Sequence, residues 1–260
     1  MVSRTSQNGS AAGLPDRQQL LLLPNPAHHS GWVAKSQNTF DDPGFADAYA
    51  DRAPRTVPAY HDIHRMAAVL IAEHVPADAR ILVLGAGGGL EMKAFAQAHP
   101  EWTFDAVDPA AAMLHLAVTT MGSSASRVRM HQGYIDDAPS GPFDAATSLL
   151  TLHFLDPGER RRTVAEVRRR LKPGAPFIAA HLSFPQRDDA ERELWMRRHS
   201  DLLVASGIDP TDAERSRTTV ANEVPALTPE HDRAILQDVG FTDVTEFFSA
   251  FTFRGWVGYA

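Results

Sequence analysis

Three glycines at alternate positions, Gly85, Gly87 and Gly89, follow an apolar run and lead into a helical one, and an acid, Asp108, lies nineteen residues beyond the last of them. Glycines there let the backbone turn sharply and let a ligand approach the amides at a helix N-terminus, while an acid ending the next strand can accept hydrogen bonds from both hydroxyls of a ribose. The chemistry suggested is the holding of an adenosine-containing ligand. The spacing is G-x-G-x-G, whereas a dinucleotide fingerprint, G-x-G-x-x-G, would place a glycine where this chain has Leu90. A ribose is common to nicotinamide dinucleotides and to S-adenosylmethionine (SAM), so the loop and the acid alone leave both in play.

Among groups that could move a proton, His153 follows an apolar segment ending near the glycine loop, where a neutral imidazole can act as a base. His181 lies inside an apolar run and reads as a hydrogen-bonded core histidine. His61 and His64 stand three apart with Asp62 between them, without an H-x-x-x-H or paired acids, so no metal site is expected. The basic run "ERRRTVAEVRRRLK" carries Val164, Val167 and Leu171 as an apolar stripe, which puts its arginines mainly on a solvated face among Glu159 and Glu166.

These residues need a scaffold. The 260-residue chain is 43% hydrophobic, enough for one large α/β domain with an elaboration. Thirty-two acids against 25 bases give a net charge of -7, so no nucleic-acid partner is expected and a small-molecule partner is. With no cysteine, disulfides, thiolate zinc sites and cysteine nucleophiles are excluded. No run approaches the roughly 20 apolar residues of a membrane span, and "LLLL" at 20–23 lacks the flanks of a signal peptide, so a cytoplasmic protein without membrane association is expected. Residues 1–38, rich in Ser, Gly, Asn, Gln and Pro, read as a flexible leader to a domain over 39–260.

From about residue 56 the pattern alternates. Ile63, Met66, Ala67, Leu70, Ile71 and His74 have helical spacing, and "ILVLG" reads as a buried strand. "LEMKAFAQAH" (helix), "TFDAVD" (strand), "PAAAMLHLAVTTM" (helix) and "RVRMHQG" (strand) follow. "FDAATSLLTLHF" reads as a long strand running into a loop, "DPGERRRTVAEVRRRLKPG" as a helix and "APFIAAHLSF" as a strand. Alternation of this kind builds a parallel sheet with helices on both faces, which binds ligands beyond the carboxyl ends of its strands. Between residues 185 and 227, "DDAERELWMRRHSDLLVASG" reads as helical and "IDPTDAERSRTTVANEVPAL" as a looped cap, together a lid over the site.

"VLGAGGGLE", "DAVDPAAAML", "HQGYIDD", "FDAATSLLTLHFLD" and "VRRRLKPGAPFIAAH" resemble, in order and spacing, the successive motifs of class I SAM-dependent methyltransferases. The ending "DRAILQDVGFTDVTEFFSAFTFRGWVGYA" is similar to that family's last helix and antiparallel β-hairpin. The resemblance spans about residues 40 to 260 and implies a Rossmann-like sheet with SAM as cofactor. It is nearest to the carboxy-SAM synthase branch, through "RTVPAYHDIH", "LTLHFLDPGERR", "LSF", "RTTVANEV" and "VGF".

By this resemblance Gly85, Ala86, Gly87 and Gly89 would lie along the methionine part of SAM, and Tyr60 would bind its amino-acid end. Asp108 would hold the ribose, Pro109 and Met113 would flank the adenine, and Ile135 and Asp136 would meet its ring edge and amine. Leu149 and Leu150 would offer carbonyls to the ammonium. In the lid, Trp195, Met196, His199, Arg215 and Arg217 are the candidates for acceptor contacts, an arginine fork suiting a carboxylate. The leading expectation is methyl transfer to a small acceptor. A carboxy-SAM synthase using SAM and prephenate, and a non-catalytic SAM-binding protein, are the alternatives. A homodimer lending a lid arginine across the interface is left open.

Overall fold

The central strand segments are buried on both sides, as strands covered by helices on both faces must be, while the two edge strands are partly exposed. In β1 (Arg80–Leu84) Ile81 and Val83 face one core while Leu82 and Leu84 face another. The computed structural model describes residues 40–260; the leader expected over 1–38 lies outside the described residues. The remaining strands are β2 (Thr103–Asp108), β3 (Val128–Gln132), β4 (Ala145–Leu149), β5 (Pro176–Leu182), β6 (Thr242–Ala250) and β7 (Phe253–Tyr259). They form one seven-stranded sheet in the order β3-β2-β1-β4-β5-β7-β6. Strands β1 to β5 run parallel, and β7 pairs antiparallel with β5 from Pro176↔Tyr259 to Leu182↔Phe253. The C-terminal hairpin β6–β7 closes that edge. The sheet is thus the class I methyltransferase one that the sequence implies.

The helices are α1 (Pro43–Thr56), α2 (Tyr60–Ala72), α3 (Leu90–Ala98), α4 (Ala111–Met121), α5 (Pro157–Arg169), α6 (Asp189–Ala205), α7 (Pro210–Glu223) and α8 (Pro229–Asp238). Residues of α2, α3 and α4 pack in the core on one face of the sheet, and residues of α5 and α8 in the core on the other. Helix starts follow the caps: Asp156, Asp188, Asp209 and Thr228 each accept from a backbone N–H of the first turn of α5, α6, α7 and α8. No helix among the described residues is long and apolar enough to cross a membrane.

Two readings of the sequence are corrected and two features are added to it. The long strand over "FDAATSLLTLHF" stops at Leu149, because Leu150 takes a left-handed φ of 60° and a 3-10 turn, Leu152–Phe154, follows. The looped half of the lid is helix α7, begun by the Asp209 cap and Pro210 and buried along Ala213 and Val220. Helix α1, for which the polar pattern before residue 56 gives no signal, carries Pro54 inside it. The arginines of the basic run are not all solvated: Arg160 is 1% exposed, and Arg170 is buried as well.

Arg160 fixes the layer beneath the site. Its Nη1 donates to Asp232 Oδ1 on α8 at 2.5 Å, and its Nη2 donates to the carbonyls of Leu155 and Pro225 at 3.1 and 2.8 Å. His181 Nε2 of β5 lies 3.2 Å from the same carboxylate oxygen. Burial alone would raise Asp232, but His181 and Arg160 outweigh it and hold the carboxyl at about 2. This buried pair therefore joins α5, α8, β5 and the end of the lid.

Candidate functional site

Strand order reverses between β1 and β4, where the two crossover connections leave a crevice at the carboxyl ends. A cavity of about 400 Å³ lies there, floored by Leu84, Val107, Asp108, Leu149 and Leu182 from the ends of four strands. The glycine loop is tied to β2: Gly85 N and Ala86 N donate to Val107 O at 2.8 and 3.1 Å. Gly89 is the left-handed cap of α3, and a Cβ there would lie 2.9 Å from Ala117 Cα, so only glycine lets α3 and α4 approach so closely. Gly87 (φ 49°) is different. A Cβ there would meet nothing nearer than Met113 Cε and Tyr49 Oη at 3.7 Å, so it would occupy the cavity itself.

Asp108 organises this end. Its Oδ2 accepts from Gly87 N at 2.8 Å and its Oδ1 from Ala110 N at 2.9 Å. It is 8% exposed. Burial pushes its carboxyl up to about 6; the two backbone donors pull it down and Asp41 adds to the rise. With both oxygens anchored, the carboxylate is fixed in direction and its remaining lone pairs face the cavity wall, a fit for a diol.

The sequence-predicted residues divide into three groups. Gly85, Gly87, Asp108, Pro109, Met113, Ile135, Leu149, Leu150, His153 and His199 all line the main cavity. Tyr60, Ala86 and Gly89 border an adjoining pocket of about 20 Å³, which Gly85, Gly87, Leu149 and Leu150 share. Asp136, Trp195, Arg215 and Arg217 line neither. Asp136 is exposed and pairs with Arg162 at 2.9 Å. Trp195 packs under the Arg198 guanidinium, 4.7 Å from its ring centre. Arg215 pairs with Asp212 at 2.5 Å, and Arg217 with Glu214 and Glu193 at 2.6 and 3.1 Å, so acids of the lid itself take up both forks. Met196 is wholly in the core.

The two histidines of the main cavity are neutral. His153 is 5% exposed, and burial, helped by His181 and Arg160 against Asp232, holds it well below the ordinary range. Leu182 N donates to its Nδ1 at 3.4 Å, so the proton of the neutral ring sits on Nε2. In that tautomer His153 faces a ligand as a hydrogen-bond donor, whereas the sequence suggests a base at this place. His199, also buried, lies with Nδ1 3.0 Å from Thr252 Oγ1, and burial lowers it to about 4.

The sequence places the α7 segment over the site but points to Arg215 and Arg217, whereas Ser216, Thr219 and Val220 of that helix line the cavity; the wall supplied by α1 (Tyr49, Arg52, Thr56) it missed. No motif marks α1, while the capping Asp-Pro pair at 209–210 signals α7. Sequence reasoning also passed over Glu91, buried beside the glycine loop.

Comparisons with known proteins agree with this geometry. Residues 81–174 match a family described as a methyltransferase domain. The carboxy-S-adenosyl-L-methionine synthase of Klebsiella pneumoniae is 25% identical over 219 residues, covering 83% of this chain and 88% of its own length. Among solved structures, a putative O-methyltransferase from Nostoc punctiforme superposes with a TM-score of 0.61 at 19% identity, over 84% of this chain and 59% of its own. Human N-acetylserotonin methyltransferase, solved with SAM, gives 0.57 at 14% identity, over 89% of this chain and 62% of its own. The chain spans about three fifths of the length of these two proteins.

Proposed function

We propose, from the premise that this chain is a SAM-dependent methyltransferase in family and fold, that it methylates a small, largely apolar acceptor held in the outer half of the main cavity. One observation carries the reading. The cavity that begins at Asp108 and the glycine loop runs on without a break into a compartment walled by Val57, Phe154, Leu155, Val224 and Phe253, with His153 and His199 as its buried imidazoles.

SAM, when bound, supplies a methyl group on a sulfonium that is already a good leaving group, so the protein's task is largely alignment. In this assignment Asp108 accepts from the ribose hydroxyls, and Pro109 and Met113 flank the adenine, with the Ile135 backbone at its edge. Gly85, Ala86 and Gly87 lie along the methionine part, with Tyr60 at its far end. The Leu149 and Leu150 carbonyls face the ammonium; the left-handed φ of Leu150 is the kind of strain that a binding site retains. His153 donates its Nε2–H to an oxygen of the acceptor. His199, kept neutral by burial, can accept a hydrogen bond from the acceptor at Nε2 while its Nδ1–H is donated to Thr252.

Calorimetric titration with SAM and with a nicotinamide dinucleotide tests the cofactor side. Binding of SAM alone is expected; binding of the dinucleotide alone would overturn the reading. A second reading, synthesis of carboxy-SAM from SAM and prephenate, draws support from the similarity to the Klebsiella enzyme over most of both chains. Against it stands Arg217, which by the resemblance to that branch falls where the extra carboxylate would bind but has its guanidinium paired with Glu193 and Glu214. Mass spectrometry of small molecules released from the denatured protein separates the two, since carboxy-SAM exceeds SAM by the mass of the added carboxylate.

A further inference from the structure

Glu91, the second residue of α3, is the buried acid that the roles above leave unused. It is 6% exposed, and its Oε1 has no hydrogen-bond partner among the described residues. An isolated buried carboxylate is costly, so such a group either stays protonated or awaits a cation. It borders the pocket of about 20 Å³ beside the glycine loop, together with Leu149 and Leu150. That volume suits one water-sized group, which is also the size of an ammonium head.

Among the described residues the surroundings supply no cation. Facing Glu91 are Tyr49 from α1, Tyr60 and His64 from α2 and Thr147 from β4, while Asp108 of β2 acts on the same Tyr49. Burial and the neighbouring His61 lower His64 to about 4, and burial raises Tyr49 to about 12, so both are uncharged at neutral pH. Burial likewise pushes Glu91 up to about 8, with Thr147 opposing. The N-terminal turn of α3 favours a negative charge at this place, so the carboxylate form is within reach once a positive partner arrives.

We propose that Glu91 is the counter-charge for the ammonium group of SAM. This rests on the SAM reading of the site. The free protein near pH 7 carries Glu91 as the acid. The ammonium favours the carboxylate, so as the ligand enters the O–H bond breaks and the proton passes to solvent. SAM binding is then coupled to proton release, while a ligand without the amino-acid end is not coupled through Glu91.

Calorimetry at about pH 6.5, in buffers of different ionisation enthalpy, reads this directly with three probes: SAM, its demethylated thioether S-adenosylhomocysteine, and 5′-methylthioadenosine, which lacks the amino-acid part. The last engages Asp108 but not Glu91 and sets the baseline for protons released at the ribose. SAM and the homocysteine thioether should each release close to one proton more than that baseline. Glu91→Gln should abolish the excess, weaken both by about tenfold or more and leave methylthioadenosine within about twofold, since a hydrogen bond to a charged group contributes roughly 1.5–3 kcal/mol. Equal proton release for SAM and methylthioadenosine in the wild-type protein overturns the proposal even if the variant does not fold, and so does a folded variant that binds SAM normally. Failure of the wild-type protein to bind any of the three would sink the SAM reading itself, and this proposal with it.

Discussion

Replacing Asp108 by asparagine should move affinity and stability in opposite directions. The carboxylate accepts from Gly87 N and Ala110 N, one on each oxygen. An amide keeps the shape but has a single accepting oxygen, so one backbone donor, or the ribose, meets an NH2 group instead. Losing one hydrogen bond to a charged group costs roughly 1.5–3 kcal/mol, or about 10- to 150-fold in SAM affinity. Stability follows another rule. Burial has raised this carboxyl from 3.8 to about 6, so the folded protein holds the proton more tightly than the unfolded chain. Its stabilising contribution is complete below pH 3.8 and is lost as the pH rises through about 6. At neutral pH the buried charge therefore costs up to about 3 kcal/mol, which the asparagine removes and the lost backbone bond partly gives back. The expected variant melts at or above the wild-type temperature at pH 7 and binds SAM at least tenfold more weakly, by calorimetry and differential scanning. A folded variant with wild-type SAM affinity would falsify the ribose assignment. One destabilised by several kcal/mol would refute the account of the buried charge.

Arg160→Met leaves the buried Asp232 with His181 alone as a charged partner and strips two carbonyls of their donor, so a loss of about 3 kcal/mol is expected from urea unfolding; a loss under about 1 kcal/mol would show that the pair is dispensable. Asp105 on β2 is held below the ordinary carboxylate range: burial would raise it, but Arg80 and His131, at 2.7 and 2.9 Å, prevail. Its contribution is present above pH 3.8 and lost as pH falls through its lower folded value. Melting temperatures followed through that range should drop for the wild type and stay flatter for Asp105→Asn, and parallel curves would count against it. The ring resonances of His153 and His199 should not titrate between about pH 8 and 5, because burial holds both rings neutral; a midpoint near 6.5 in NMR for either would contradict its burial.

What the sequence reveals of this molecule follows the range over which each signal acts. The strands and α3 to α5 are legible because apolar periodicity, glycine turns and Asp-Pro caps are local, and the ordered motifs place Gly85, Asp108, Ile135 and Leu149 around one cavity that the structure also has. Whether a charged side chain is buried is decided by elements distant in the chain. Arg160 reads as one more arginine of a basic face until Asp232, 72 residues away, is seen to meet it. The lid arginines show the converse: a fork suited to a carboxylate does not say which one, and in this structure Asp212 pairs with Arg215 while Glu193 and Glu214 pair with Arg217. Glu91 looks like an ordinary first-turn acid because nothing in its local sequence says that α2 and β4 close over it.

The two imidazoles that line the cavity, His153 and His199, depend on a single stretch of backbone. Leu182 N, at the end of β5, holds His153, and the next residue, Ser183, donates its N–H to Thr252 O, while Thr252 Oγ1 holds His199. Two successive amides therefore set the place of one ring directly and of the other through a threonine. The same strand end is braced from below by the Arg160–Asp232 pair through His181. A shift of β5 against β7 would move both rings together, although it touched neither. A buried ion pair whose desolvation makes it a poor source of stability thus has a structural use here: it fixes the strand end from which both cavity histidines take their place.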